Sequence, residues 1–212
     1  SELLQLGQGS VVELAKLAPK PGYEVKIDRQ HGMALRDGTP FFPFGLYIQQ
    51  LTSQDEEYIK WIAAAGYNVV LWSREADTPP AELQKRLAMA HRHGLAVVDW
   101  VEDVQPIPPN MSDYRKGRGR KIYDEQGKKS FSKEEELRIA LADFEELLPG
   151  LRRTSEVLKQ APNLLAYYSV DEPNLVNPDA RIAMAEPFYR EVRQADPYRP
   201  VWMLYACHVP SG

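Results

Sequence analysis

The sequence predicts an α/β fold, organised as the first five βα units of a (β/α)8 TIM barrel behind a small β-hairpin. Its predicted strands are continuous apolar runs, as in parallel strands covered on both faces, and helical segments that end at glycine separate them. The strands begin near residues 41, 67, 95, 163 and 199. Outside one long loop the spacing is roughly 30 residues, the period expected when ~250 residues form eight units. A doubly wound open sheet is the alternative, but no glycine-rich phosphate loop follows a predicted strand.

The hairpin is predicted at the start of this domain. Tyr23, Val25 and Ile27 alternate with charged residues, which indicates a strand with one solvent-facing side. Asp37-Gly38 then predicts a tight type I′ turn, because such a turn needs positive φ. We therefore expect residues 1–22 to be an N-terminal extension and residues 23–212 to form an incomplete barrel domain.

Capping and breaking signals place the helix ends. Ser53 with Glu56, and Ser132 with Glu135, each have the spacing of a capping box, which predicts two helix starts. Pro149-Gly150 lies inside the apolar pattern that follows Ser132, and we expect it to break that helix into two segments.

Composition excludes several classes of function. The 212-residue chain has a formal net charge of −4, which argues against a nucleic-acid or anionic-membrane surface. Cys207 is the single cysteine, so an internal disulfide and a cysteine-based metal cluster are excluded. No apolar run approaches the ~20 residues of a membrane span. The one basic run, residues 115–121, is polar and contains glycine, and we interpret it as a solvated loop.

Acidic and aromatic residues follow the C-terminal ends of the predicted strands, where α/β barrels carry their active sites. Aromatic faces stack on sugar C–H groups, and carboxylates bond sugar hydroxyls. We therefore expect a carbohydrate site with the candidate contacts Tyr47, Trp72, Trp100, Asp171 and Tyr205. For the two tryptophans, packing against the helices is the alternative.

Five segments resemble the first five strands of the clan A glycoside hydrolases, the β-galactosidase and cellulase-like barrels. They are DGTPFFPFGLY (37–47), AGYNVVLW (65–72), HGLAVVDWVE (93–102), LLAYYSVDEP (164–173) and DPYRPVWMLY (196–205). The most telling piece is Asp171-Glu172-Pro173 after the fourth of these strands. The resemblance implies a retaining O-glycoside hydrolase that uses no metal or cofactor, with Glu172 at the position of the general acid/base. It also favours a secreted or periplasmic location.

The sequence departs from the family's pattern next to the acid/base. Many members carry asparagine where this chain has Asp171, and an ionised carboxylate cannot donate a hydrogen bond. A second negative charge there would raise the pKa of Glu172, which suits a general acid. Asp171 is therefore expected to be a ligand of a sugar hydroxyl or to tune the pKa of Glu172.

Retaining hydrolysis needs a second carboxylate as nucleophile, ~5–5.5 Å from the first. In the resembling family it follows the seventh strand. We therefore expect it in a missing C-terminal part, with the remainder of the barrel or a second copy closing the sheet. Glu102 and Asp103, which follow the third strand, are the alternative within this sequence.

Three other interpretations remain open. Asp171-Glu172-Pro173 fits a helix N-terminus, where acidic residues and proline are favoured. The domain could instead be a non-catalytic carbohydrate-binding or remnant half-barrel that needs a partner. The third is a metal-dependent barrel hydrolase or isomerase that uses Asp171, Glu172, Asp99 and His208.

Overall fold

A computed structural model describes residues 17–49, 51–101, 132–171 and 178–204. Eight strands and four helices lie in these ranges. In chain order they are β1 (Val25–Asp28), β2 (Met33–Arg36), β3 (Thr39–Phe41), β4 (Gly45–Ile48), α1 (Glu56–Ala64), β5 (Val69–Arg74), α2 (Pro80–Arg92), β6 (Ala96–Val101), α3 (Lys133–Leu158), β7 (Leu164–Asp171), α4 (Pro178–Ala195) and β8 (Val201–Leu204). None of the described helices has the length and apolar character of a membrane span.

The first three strands form a small antiparallel sheet in the order β1-β2-β3. The predicted tight turn is confirmed, because Asp37 and Gly38 both have positive φ, at 49° and 79°. This sheet is tied to the segments that precede β7 and β8. The Val25 amide donates to the Tyr198 carbonyl oxygen at 3.0 Å, and Arg36 Nη2 donates to the Pro162 carbonyl oxygen at 2.9 Å. The small sheet therefore lies at the amino ends of the main-sheet strands.

The main sheet has five parallel strands in the order β4-β5-β6-β7-β8. This confirms the predicted parallel α/β arrangement: four βα units and a fifth strand follow one another in sequence order within the described residues. β4 and β8 form the two edges, so the barrel is not closed within the described residues. Because the strands are parallel and in sequence order, all of their C-terminal ends meet at one edge of the sheet.

The two faces of this sheet bury different sets of side chains. The outer face packs against the helices through Ile48, Val70, Trp72, Val97, Val101, Leu164, Tyr167 and Val170. The inner face, on the opposite side, carries Val69, Ala96, Val98, Trp100, Leu165, Ala166 and Tyr168 and is joined by Val25 of β1. Apolar residues on both faces explain why the strands read as continuous apolar runs.

A buried ion pair fixes the entry into β8. Arg199 is fully buried, and its Nη1 donates to Asp196 Oδ2 at 2.9 Å. Its Nε and Nη2 donate to the carbonyl oxygens of Leu164 and Ala161 at 2.9 and 2.7 Å. The charged hydrogen bonds therefore hold the start of β8 beside the start of β7.

One of the two predicted capping boxes is confirmed and the other is wrong. At α3 the Glu135 amide donates to Ser132 Oγ at 3.3 Å and the Ser132 amide donates to Glu135 Oε2 at 2.8 Å. α1 instead begins at Glu56 behind Asp55. Ser53 instead contacts α2, where its amide and its hydroxyl each donate a hydrogen bond to the Glu82 carboxylate at 2.8 Å. A tertiary contact has replaced the local cap.

The predicted break at Pro149-Gly150 is also wrong, since α3 runs as one helix from Lys133 to Leu158. Proline removes the hydrogen bond to the carbonyl four residues earlier, here that of Glu145. Both Pro149 and Glu145 are exposed, so water can hydrate the freed carbonyl oxygen. Gly150, by contrast, is buried.

Candidate functional site

Three aromatic side chains meet on the inner face near the C-terminal ends of the strands. Tyr47 lies 5.5 Å from Trp100 between ring centroids, and Trp100 lies 5.6 Å from Tyr168 in an edge-to-face arrangement. Tyr47 belongs to β4, Trp100 to β6 and Tyr168 to β7, so the contacts extend across the sheet. We call these three residues the aromatic cluster.

The parallel register explains this assembly. Trp100 is paired with Tyr168 across the β6–β7 ladder, which places both side chains at one level of the inner face. The cluster changes from exposed to buried across the sheet: Tyr47 is 47% exposed, whereas Trp100 and Tyr168 are each 7% exposed. Tyr47 is therefore the member of the cluster whose ring is open to solvent.

Asp171 joins the cluster through Tyr168. The Tyr168 hydroxyl donates to Asp171 Oδ1 at 2.6 Å, and Asp171 is half-buried as the last residue of β7. A carboxylate thus lies beside aromatic rings at the end of the sheet where (β/α)8 proteins carry their active sites. Three sequence-predicted residues, Tyr47, Trp100 and Asp171, are brought together.

The indole nitrogen of Trp100 is buried without a matching acceptor. Within the described part of the chain, Trp100 Nε1 is the buried side-chain nitrogen or oxygen atom that has no hydrogen-bond partner. Buried polar groups are nearly always paired, because leaving one unpaired costs its full desolvation free energy. A ligand oxygen would satisfy this unpaired N–H.

Trp72 does not join the cluster, and the helix-packing alternative describes its position. It is fully buried on the outer face, where its Nε1 donates to Asp99 Oδ1 at 2.9 Å. Arg74 Nε donates to the two oxygens of the same carboxylate at 2.8 and 3.0 Å, and Arg74 Nη2 donates to Thr154 Oγ1 of α3 at 3.1 Å. These bonds join β5, β6 and α3 behind the sheet.

This network also places Asp99 away from the inner face, although the metal-site alternative groups it with Asp171. Asp99 is 1% exposed and is held by Arg74 and Trp72. No group of three or more His, Cys, Asp or Glu side chains suited to hold a metal ion occurs among residues 17–49, 51–101, 132–171 and 178–204.

Several predicted residues lie outside the described ranges. Glu172 and Tyr205 are two of them, as are Glu102, Asp103, Cys207, His208 and the basic run 115–121. Their predicted roles stay predictions.

Tyr168 belongs to the cluster but is not among the residues predicted from the sequence. Two signals in the sequence could have found it: it lies three residues before Asp171, and in parallel strands aligned by their ends it falls at the level of Trp100. The sequence pattern alone does not distinguish it from Tyr167, because both tyrosines lie in the same apolar run although their side chains face opposite sides of the sheet.

No protein-family model matches this sequence, and no curated protein matches it significantly. Solved structures do. The catalytic domain of a mannanase from Streptomyces sp. SirexAA-E matches with a TM-score of 0.56 at 13% identity, over 94% of this chain and 56% of that one. A D-psicose 3-epimerase matches with a TM-score of 0.40 at 12% identity, over 76% and 51%. Another, from Clostridium cellulolyticum H10, matches with 0.34 at 13% identity, over 76% and 63%.

The mannanase likeness establishes the fold alone. It agrees with four βα units and a fifth strand of a (β/α)8 barrel whose closing strands are not in the described sheet. The chain spans about half (56%) of the length of that structure.

Proposed function

We propose that this chain is part of a retaining glycoside hydrolase, with Glu172 as general acid/base and the aromatic cluster as the sugar-binding surface. The observation that carries the proposal is the association of Tyr47, Trp100 and Tyr168 with the Asp171 carboxylate at the C-terminal edge of the parallel sheet. The fold likeness to a mannanase catalytic domain is compatible with it.

The cluster has the chemistry that a sugar needs. A pyranose ring offers C–H faces that pack on aromatic rings and hydroxyls that require hydrogen-bond partners. Tyr47 supplies an exposed ring at the rim, and Trp100 and Tyr168 supply buried rings below it. Asp171 supplies carboxylate oxygens that accept from a sugar hydroxyl while Tyr168 holds Oδ1.

Glu172 follows Asp171 directly in the sequence. In the proposed reaction it gives its proton to the leaving glycosidic oxygen as the bond to the anomeric carbon breaks. A second carboxylate attacks that carbon, and Glu172 then takes a proton from the water that hydrolyses the covalent intermediate.

The second carboxylate is proposed to come from the strands that close the barrel. Asp99, on the strand next to β7, is bound by Arg74 on the outer face and does not serve. The intact mass of the protein isolated from its source, compared with 24.2 kDa for this chain, identifies the supplier. A clearly larger mass would assign the closing strands to the same polypeptide, and an equal mass would assign them to a second copy or a partner.

The test of the proposed function is Glu172→Gln in the protein as isolated, assayed on a panel of nitrophenyl glycosides and unactivated disaccharides. We expect hydrolysis of the disaccharides to be lost, because their leaving groups need protonation. Turnover of activated aryl glycosides should be rescued by azide, which attacks the intermediate without general base help. Unchanged activity on both substrate classes would exclude Glu172, and sugar binding without any turnover by wild type would favour the non-catalytic alternative.

A further inference from the structure

We infer that Trp100 Nε1 donates a hydrogen bond to a hydroxyl oxygen of a neutral sugar bound in the aromatic cluster, and so helps to select the substrate. This inference rests on the proposed sugar-binding role of the cluster. It goes further by naming the atom that donates a hydrogen bond to the ligand and by stating that the bound sugar is uncharged.

The first step is the state of the donor. Trp100 is only 7% exposed, and its Nε1 has no hydrogen-bond partner in the part of the chain that the structure describes. Trp72 shows what the same fold does with a structural indole, whose Nε1 donates to Asp99 at 2.9 Å. The contrast indicates that Trp100 Nε1 is kept for a group that is not part of this sheet.

The second step is the position of the donor. Trp100 touches Tyr47 on one side and Tyr168 on the other, at centroid distances of 5.5 and 5.6 Å. Tyr47 is about half exposed, so the cluster opens at that side. A sugar ring packed on Tyr47 would carry a hydroxyl towards Trp100, and a buried donor that only the ligand satisfies discriminates strongly between ligands with and without an acceptor there.

The third step is charge. The neighbouring polar group of the cluster is the Asp171 carboxyl, which Tyr168 Oη holds at 2.6 Å, and Glu172 follows it in the sequence. An acidic sugar such as a uronic acid would bring a second carboxylate beside that of Asp171, which like-charge repulsion disfavours. The fitting acceptor is therefore a hydroxyl oxygen of a neutral sugar.

The experiment uses the full chain labelled with ¹⁵N and follows the indole N–H signals in titrations with cellotriose, mannotriose, lactose and glucuronic acid. The chain has four tryptophans, and the Trp100→Phe and Trp61→Phe variants assign two of the signals. Trp100→Phe keeps an aromatic ring near Tyr47 and Tyr168 but removes part of the ring system together with the donor, so the shift of the Trp100 N–H signal in wild type is the direct readout of the hydrogen bond. Trp61 is 57% exposed on α1 and serves as the matched control.

We expect at least one neutral sugar to move the Trp100 signal downfield and to leave the Trp61 signal in place. Trp100→Phe should weaken its binding about tenfold, the effect of one lost hydrogen bond in a buried site, and Trp61→Phe should not. The two other indole signals, of Trp72 and Trp202, report whether each variant is folded.

The outcomes separate this inference from the proposed function. Neutral sugars that bind wild type and Trp100→Phe equally, with no shift of the Trp100 signal, would overturn the inference and leave the hydrolase proposal standing. Tighter binding of glucuronic acid than of every neutral sugar would overturn the charge class. Binding with the expected shift, together with no hydrolysis of any glycoside by the complete protein isolated from its source, would support the inference and reject the hydrolase. A wild type that binds none of the sugars would reject both.

Discussion

Tyr168 Oη donates a 2.6 Å hydrogen bond to Asp171 Oδ1, although the two residues are three positions apart in one strand. In a regular strand such side chains point to opposite faces. The β7–β8 register shifts between these residues: Tyr168 is opposite Trp202, whereas Asp171 is opposite Leu204. β7 thus uses three steps where β8 uses two, and this irregularity brings the Asp171 side chain within reach of the inner-face tyrosine.

The first prediction tests whether this bond positions Asp171 for a ligand. Tyr168→Phe removes the hydroxyl and keeps the ring against Trp100, so the orientation of Asp171 should loosen. We expect a loss of sugar affinity of about fivefold to tenfold, less than the ~1.5–3 kcal/mol of a charged hydrogen bond, because Asp171 itself is kept and only its orientation is loosened. The measurement is a binding titration with the tightest neutral sugar, together with kcat and KM where turnover is found.

Tyr167→Phe is the matched control, because Tyr167 is the adjacent tyrosine on the outer face. Its hydroxyl donates to Asp196 Oδ2 at 3.1 Å, and burial, followed by the charge of Asp196, raises the pKa of Tyr167 well above its ordinary value. We expect this variant to lose about 1 kcal/mol of unfolding free energy and to keep its sugar affinity. Equal effects of the two variants on affinity would remove the positioning role from Tyr168.

The second prediction concerns the buried pair of Arg74 and Asp99 behind the sheet. Arg74→Met leaves the Asp99 carboxylate in an environment where it is 1% exposed and has lost its cation. We expect a loss of about 3–5 kcal/mol in the free energy of unfolding, the usual cost of a buried charge left unpaired. Urea denaturation followed by circular dichroism measures it.

A double variant separates the effect of the unpaired Asp99 charge from the other contributions of Arg74 to stability. Arg74→Met with Asp99→Asn removes both charges and keeps an amide oxygen that can accept from Trp72 Nε1, so it should recover a large part of the lost stability. Arg152→Met is the surface control, because Arg152 pairs with Glu191 in solvent and its loss should change stability little. A double variant as unstable as the single one would mean that the charge of Asp99 is not the cause.

Local sequence signals predict most of the helices and strands. They do not predict which side of the sheet each strand side chain faces. Apolar runs place the five parallel strands, and Ser132 with Glu135 places the start of α3. Trp72 and Trp100 have similar sequence surroundings, yet one faces the helices and the other faces the inner side. Strands that are apolar on both faces carry no alternation from which the facing could be read.

The errors at helix ends and in the site share a cause, which is contact between distant residues. Ser53 has a suitable partner three residues on, but the Glu82 carboxylate of the next helix satisfies its amide and its hydroxyl together. The Tyr168–Asp171 hydrogen bond depends on an irregularity of the β7–β8 pairing, and the sequence of β7 contains no signal that predicts this irregularity. Pairings of this kind are decided by the neighbouring strand or helix, so single-segment patterns do not contain them.

The third prediction concerns how the free energy of unfolding changes at acidic pH because of Glu82. Partial burial raises the pKa of Glu82, but the hydrogen bonds from Arg86 and Ser53 outweigh it and lower the pKa from 4.5 to about 2. The folded state therefore binds its proton later than the unfolded chain as the pH falls. Glu82 contributes stability that is complete above pH 4.5 and is lost as the pH falls towards 2.

Glu82→Gln removes this titration. We expect its free energy of unfolding to fall below that of wild type at pH 6 by on the order of 1–2 kcal/mol, allowing for solvent screening, and the two curves to converge towards pH 2–3. Ser53→Ala, which loses the hydroxyl donor and keeps the amide donor, should lie between them. Urea denaturation at pH 6, 4 and 3 measures all three proteins. A gap between wild type and Glu82→Gln that stays constant with pH would show that Glu82 acts by packing, because only a shifted titration makes the difference depend on pH.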